Sequence, residues 1–338
     1  MKYLMIDIEG IDLNDNDVRR IQHPHVGGVI LFSRNYVNKS QLTQLIQTIR
    51  EVKEELLIAA DYEGGRVQRF RDDFTLLPPM RRLGNLFDDN QSHALEIAEK
   101  IGWLIGQELG EVGIDFSFTP VLDIDYGSSS VIGDRSFHDR VSPVIELSQK
   151  LIKGLNQAGM SAVGKHFPGH GYIKADTHLE KAIDARTFDE IAQNDLKPFA
   201  QMIASNIEGI MPSHVIYSSC DSNPASMSFF WLNTILREQL NFKGLIFSDD
   251  LSMQAARDQE PNPAKRVSRA FNAGIDFALV CNSPREVDLI LDSMEFNIAI
   301  EGVSPKINMR LDQSKHQSKT FQDQSLSEII EYVLKMTN

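Results

Sequence analysis

Residues 161–178, SAVGKHFPGHGYIKADTH, begin as a short apolar run and turn into a segment crowded with titratable side chains. Lys165, His166, His170, Asp176 and His178 follow one another there, and Pro168, Gly169 and Gly171 punctuate them. Proline fixes φ and glycine releases it, so a backbone of this composition is a loop with restricted or unusual angles. Loops that follow strands are where barrel and open-sheet proteins keep their chemistry. The stretch therefore asks whether the rest of the chain supplies a parallel sheet.

It does. Apolar runs of strand length recur at Tyr3–Ile8, Gly28–Phe32, Leu56–Ala60, Asp115–Leu122, Ser161–Gly164, Gly209–Met211, Leu245–Phe247 and Phe277–Val280. Between most of them lie segments with apolar residues at spacings of three and four: 41–53, 94–112, 143–158, 188–204, 230–240, 264–273 and 286–296. Such alternation predicts strand-helix units. Eight of them match an α/β fold of the (β/α)8 TIM-barrel type, with catalytic groups at the C-terminal ends of the strands. An open doubly wound sheet is the other candidate, but IDIEGIDL after the first run holds one glycine, and no GxGxxG or GxxxxGK[ST] occurs elsewhere. Two connections are long, 77–90 and 124–140, and loops of that size are commonly functional. Nothing divides the chain, so residues 1–338 read as one domain, with a loose polar tail from about residue 314 and a last short helix at 327–335.

The chain has 338 residues, 42% hydrophobic and 24% charged, ordinary proportions for a globular protein. A net charge of -13 argues against a nucleic-acid surface, which needs clustered Lys and Arg. Cys220 and Cys281 are too few for a disulfide framework or a Cys-rich zinc site. MKYLMIDIEG reaches Asp7 and Glu9 before any signal-like apolar stretch, and no segment is long enough to span a membrane. A cytoplasmic protein with no membrane partner is expected.

In a barrel, each strand delivers its last residues to one face. The third run ends in DYEGGRVQRF (61–70), the fourth leads to Asp123, Asp125 and GDRSF (133–137), the fifth to Lys165-His166, the sixth to His214, and the seventh to Ser248-Asp249-Asp250. Carboxylates, arginines, a lysine and histidines with apolar walls suit a polyhydroxylated ligand. Plainer roles stand beside this: one of Asp249 and Asp250 as a helix N-cap, Arg69 and Arg135 as ion-pair partners, Glu63-Gly64-Gly65 as a turn, Asp123 and Asp125 as backbone acceptors. Two mechanisms compete. A metal hydrolase would ligate through His166, His170, Asp176 and His178, although these lie on a glycine-rich loop and HExxH is absent. Glycosidic cleavage needs a carboxylate nucleophile and a separate proton donor, roles that Asp249 and His178 can fill.

Taken together, DYEGGRVQRF, VIGDRSF, KHFPGHG followed by ADTH, PSH and FSDDLSM closely resemble the β-N-acetylhexosaminidases of glycoside hydrolase family 3, in particular their single-domain bacterial peptidoglycan-recycling group. The resemblance covers the chain from the first strand to the eighth. It implies Asp249 as nucleophile, His178 as acid/base oriented by Asp176, and Asp61, Arg69, Arg135, Lys165 and His166 as binders of N-acetylglucosamine. It also implies a small-molecule substrate, a muropeptide or chitooligosaccharide, with no cofactor, no metal and a monomeric protein. Tyr62 departs from the group's usual DQEGG and stands next to Asp61. A histidine acid suits the proposed role, since imidazole titrates near pH ~6.5 and can both give and take a proton at neutral pH. Release of glycosyl-Asp249 by phosphate instead of water, a metal-dependent hydrolase and a sugar receptor without turnover stay open beside the retaining hydrolase.

Overall fold

The computed structural model describes residues 2–174, 182–293, 308–318 and 320–337. Eight parallel strands form one sheet: β1 Tyr3–Ile6, β2 Val26–Leu31, β3 Leu57–Ala60, β4 Phe116–Ser117, β5 Ser161–Phe167, β6 Gly209–Pro212, β7 Leu245–Ile246 and β8 Phe277–Val280. Each pairs with its neighbour in sequence, and β1 also pairs with β8. The last seam, β7 to β8, is closed by a Phe247–Phe277 bridge, with Asp276 N donating to Ile246 O at 2.9 Å and Ser248 N to Phe277 O at 2.8 Å. The expected (β/α)8 barrel is the observed fold. Inside it, Phe116, Phe118, Phe247 and Phe277 pack ring against ring at centroid distances of 5.2–5.5 Å, so the barrel is a filled core.

Helices surround the barrel: α1 Asp15–Gln22, α2 Lys39–Val52, α3 Arg81–Asp89, α4 Gln91–Glu111, α5 Val141–Gln157, α6 Phe188–Gln193, α7 Leu196–Ala204, a π-helical run Phe230–Gln239, α8 Gln254–Arg257, α9 Pro263–Ala273 and α10 Pro284–Ser293. Four departures from expectation have physical causes. Helix α1 has almost no apolar stripe; Arg20 is buried in place of a hydrophobe, bonded to Glu9 and Asp288, and Asn14 with Asp17 forms a capping box. The long connection 77–90 contains α3, anchored by buried Leu83. The helix expected over 188–204 breaks at Asn194-Asp195, where Asp195 turns inward to Arg186. The tail is ordered around apolar contacts despite its polar composition: α11 Gln313–His316, a short hairpin at 320–325 and α12 Leu326–Thr337, with Phe321 packed 5.6 Å from Trp103 of α4.

Among the described residues no helix is long and apolar enough to cross a membrane.

Candidate active site

A cavity of about 530 Å3 opens at the C-terminal ends of the strands, with lining residues from β2 round to β8: Phe32, Asp61, Lys165, Met211, Asp249 and Cys281 among them. Barrel strands aim their last side chains at this face, which is why residues far apart in sequence meet here.

Strand β5 is longer than expected. It continues past Gly164 to Phe167, because Leu122 N reaches Lys165 O at 2.6 Å on one side and Ser213 N reaches Phe167 O at 2.8 Å on the other. Lys165 and His166 thus belong to the strand and not to the following loop, joined by a cis peptide. Past them, Gly171 lies so close to Ile124 O that a Cβ would sit 1.7 Å from it.

Lys165 is the hub. Its ammonium, 3% exposed, lies 2.8 Å from Asp61 Oδ1 and 2.5 Å from Glu63 Oε1. Asp61 Oδ2 accepts from Arg69 at 2.8 Å, and Glu63 takes both Arg135 Nε and a terminal nitrogen at 2.8 Å. Forked pairing of this kind fixes direction as well as distance. Burial pushes both carboxyls upward, yet the opposing Lys165, with Arg69 at Asp61 and Arg135 at Glu63, outweighs it. Asp61 is held well below the usual carboxylate range, and Glu63 is held down at about 2.

His166 stands beside this cluster. Its Nδ1 meets Asp123 Oδ2 at 2.7 Å, its backbone N–H reaches Asp123 Oδ1 at 3.2 Å, and its Nε2 is 3.4 Å from Arg135. With Nδ1–H given to the carboxylate, the one remaining lone pair, on Nε2, faces the Arg135 donor, so the ring is held between Asp123 and Arg135 at the cavity wall. Asp123 also accepts from His170 N at 2.7 Å, and His166 keeps its carboxyl low against the pull of burial. The structural role expected of Asp123 is the observed one. Burial, and then His166, pushes the His170 imidazole down to about 4.

On the floor, Asp249 Oδ1 accepts the N–H of Asp250 at 2.8 Å. Asp250, also at the cavity, bonds Ser252 N at 2.9 Å, Ser252 Oγ at 2.7 Å and Cys281 N at 3.0 Å, fastening β7 to β8. Burial raises it to about 6. His214 is held between Ser226 Oγ at 2.6 Å and the carbonyl of Asp250 at 2.9 Å, so it supports the same corner from beneath.

The structure therefore brings Asp61, Arg69, Arg135, Lys165, His166 and Asp249 to one cavity. Asp176 and His178 lie outside the described residues. Glu63, read from sequence as part of a turn, is buried in the charge cluster. Its signal was the spacing: two residues beyond Asp61 on an extended chain, it shares that residue's face. Tyr62, between them, points the opposite way into the core.

Residues 3–304 match the glycosyl hydrolase family 3 N-terminal domain. The chain is 49% identical over 302 residues to a β-hexosaminidase of Methylobacillus flagellatus, covering 89% of this chain and 86% of that one. It is 48% identical over 308 residues to a β-hexosaminidase of Nitrosospira multiformis, covering 91% and 88%. Among solved structures, NagZ from Neisseria gonorrhoeae in complex with N-trifluoroacetyl-D-glucosamine superposes with a TM-score of 0.88 at 38% identity, covering 100% of this chain and 98% of that one.

Proposed function

This chain belongs to glycosyl hydrolase family 3 and is a β-N-acetylhexosaminidase, and on that premise we propose that it is an exo-acting, retaining enzyme. It removes N-acetylglucosamine from muropeptides carrying 1,6-anhydro-N-acetylmuramic acid, as a cytoplasmic monomer in peptidoglycan recycling. The observation that carries the mechanism is the presence of Asp249 on the floor of a cavity whose wall is the Asp61–Lys165–Glu63–Arg135 cluster.

Sugar hydroxyls exchange bonds with water for bonds to Asp61, Arg69, Arg135, Lys165 and His166, whose fixed directions orient the ring over Asp249. The Asp249 carboxylate attacks the anomeric carbon as the glycosidic C–O bond breaks. Its acceptor bond from the Asp250 N–H holds the carboxyl in place for that attack. His178 gives its proton to the departing oxygen, and Asp176 holds the other ring nitrogen and supports the imidazolium, both roles resting on the D-T-H sequence. The resulting glycosyl-Asp249 ester is opened by water activated by the neutral His178, with retention at the anomeric carbon.

The deciding experiment is intact-protein mass spectrometry after incubation with a 5-fluoro N-acetylglucosaminyl donor, followed by peptide mapping. One sugar on the peptide containing Asp249 is expected. No adduct, together with an activity abolished by a chelator, would overturn the mechanism.

A further inference from the structure

The hairpin that supplies Glu63 and Arg69 has two faces. Its strands, Tyr62–Gly64 and Val67–Gln68, turn at Gly64-Gly65, both at positive φ. Tyr62 and Gln68 are register partners, and alternation sends both to the back while Glu63, Val67 and Arg69 line the cavity.

Behind the hairpin lies a buried polar cluster that no step of the mechanism uses. The Tyr62 hydroxyl sits 3.2 Å from Glu108 Oε2 and accepts from Gln68 Nε2 at 2.9 Å. Glu108, on α4 and 3% exposed, also receives Thr75 N at 3.0 Å and Thr75 Oγ1 at 2.7 Å. Gln68 donates to the carbonyls of Thr75 and Phe70 at 2.9 and 3.1 Å and accepts from Leu77 N at 3.0 Å. An apolar wall of Phe70 and Phe74 encloses these bonds. Polar groups there have little water to fall back on, so each lost partner is felt by the others.

We propose that Glu108 is a positioning residue for sugar binding: through Tyr62, Gln68 and Thr75 it sets the hairpin so that Glu63 and Arg69 meet Lys165 and Asp61 in the geometry that holds the ring. The proposal rests on the cavity being the N-acetylglucosamine site. It assigns a use to Tyr62, the residue at which this chain leaves the common motif: its hydroxyl reaches from the hairpin to Glu108 on α4.

The test compares Glu108→Gln and Tyr62→Phe with Glu208→Ala. Glu208 lies at the opposite end of the barrel, where it accepts the N–H of Ala162 at 3.0 Å. Melting temperature, kcat and KM on p-nitrophenyl N-acetyl-β-glucosaminide, and affinity for free N-acetylglucosamine are measured well below melting. Expected is a rise in KM and in the sugar's dissociation constant of roughly tenfold for Glu108→Gln and about threefold for Tyr62→Phe, because small misplacements of binding groups are costly. Glu208→Ala lowers the melting temperature and leaves KM alone. Wild-type KM in Tyr62→Phe, or KM unmoved in Glu108→Gln while it melts earlier, overturns the proposal. Tyr62→Phe deletes a single oxygen and decides the matter if Glu108→Gln fails to fold. If the unmutated protein binds no N-acetylglucosamine, the cavity assignment fails first and this proposal with it.

Discussion

The two ends of the barrel are both furnished with carboxylates, and they use them differently. At the N-terminal end the acids stand just before the even strands and bond to the backbone of the odd ones: Asp115 takes the N–H of Ile58 at 2.8 Å, Glu208 that of Ala162 at 3.0 Å, and Asp276 that of Ile246 at 2.8 Å. Arginines complete two of them, Arg50 on Asp115 and Arg237 on Asp276. These acids staple neighbouring strands. At the C-terminal end Asp61 and Glu63 face side-chain cations around an open cavity instead. The same residue types close backbone bonds between strands at one end and, in Asp61 and Glu63, balance buried cations at the wall of a cavity at the other.

Substitutions can break that contrast. The largest effect is expected from Asp249→Asn, a loss in kcat of roughly 10^3-fold or more with an unchanged melting temperature; a melting loss in its place would make Asp249 another staple. Next comes Glu63→Ala, which removes the forked partner of the buried Arg135 and one of the two carboxylates on Lys165, leaving Lys165 with Asp61. Urea unfolding should register about 3 kcal/mol of lost stability, and KM should rise as well. Asp276→Ala is the counterpart at the other end, where removing a partner of Ile246 N and Arg237 costs about 2 kcal/mol and leaves kcat and KM unchanged. A changed KM there would blur the division of labour.

The smallest effect is a pH dependence. Asp250 titrates at about 6 in the folded protein instead of 3.8, because burial favours its neutral acid. Its contribution to stability is therefore complete below about pH 4 and is lost as pH rises through about 6. Glu63 runs the other way: held at about 2, it contributes above pH 4.5 and that contribution is lost as pH falls through about 2. Asp250→Asn should flatten the decline in unfolding free energy between about pH 4 and 6 without touching the acid limb.

Strand order and the collecting face were legible because the eight apolar runs and their polar ends are local signals. What escaped the sequence depended on distant partners. Arg20 counts as a core residue only once Glu9 and Asp288 are beside it. Phe321 anchors a polar tail only because Trp103 is opposite. Glu63 was hidden by the glycines that follow it, which read as a turn and are one, while the face shared with Asp61 was the more informative signal. The effect of Tyr62 was likewise closed to sequence, since its partner Glu108 lies on a helix 46 positions away.

Helix α4 touches both the hairpin and the tail. Glu108 grips the hairpin, while Gln107 donates to the carbonyl of His316 at 3.4 Å, Trp103 meets Phe321, and the Lys100 ammonium lies 3.6 Å from the centre of the Tyr332 ring. If the hairpin is seated by Glu108 as proposed, occupying the cavity would favour that seating and, through α4, the contacts the helix makes with the tail. Saturation with N-acetylglucosamine should then slow amide hydrogen exchange in α12, on the far side of the helix from the sugar, and shortening the chain before Phe321 should be felt as weaker sugar binding.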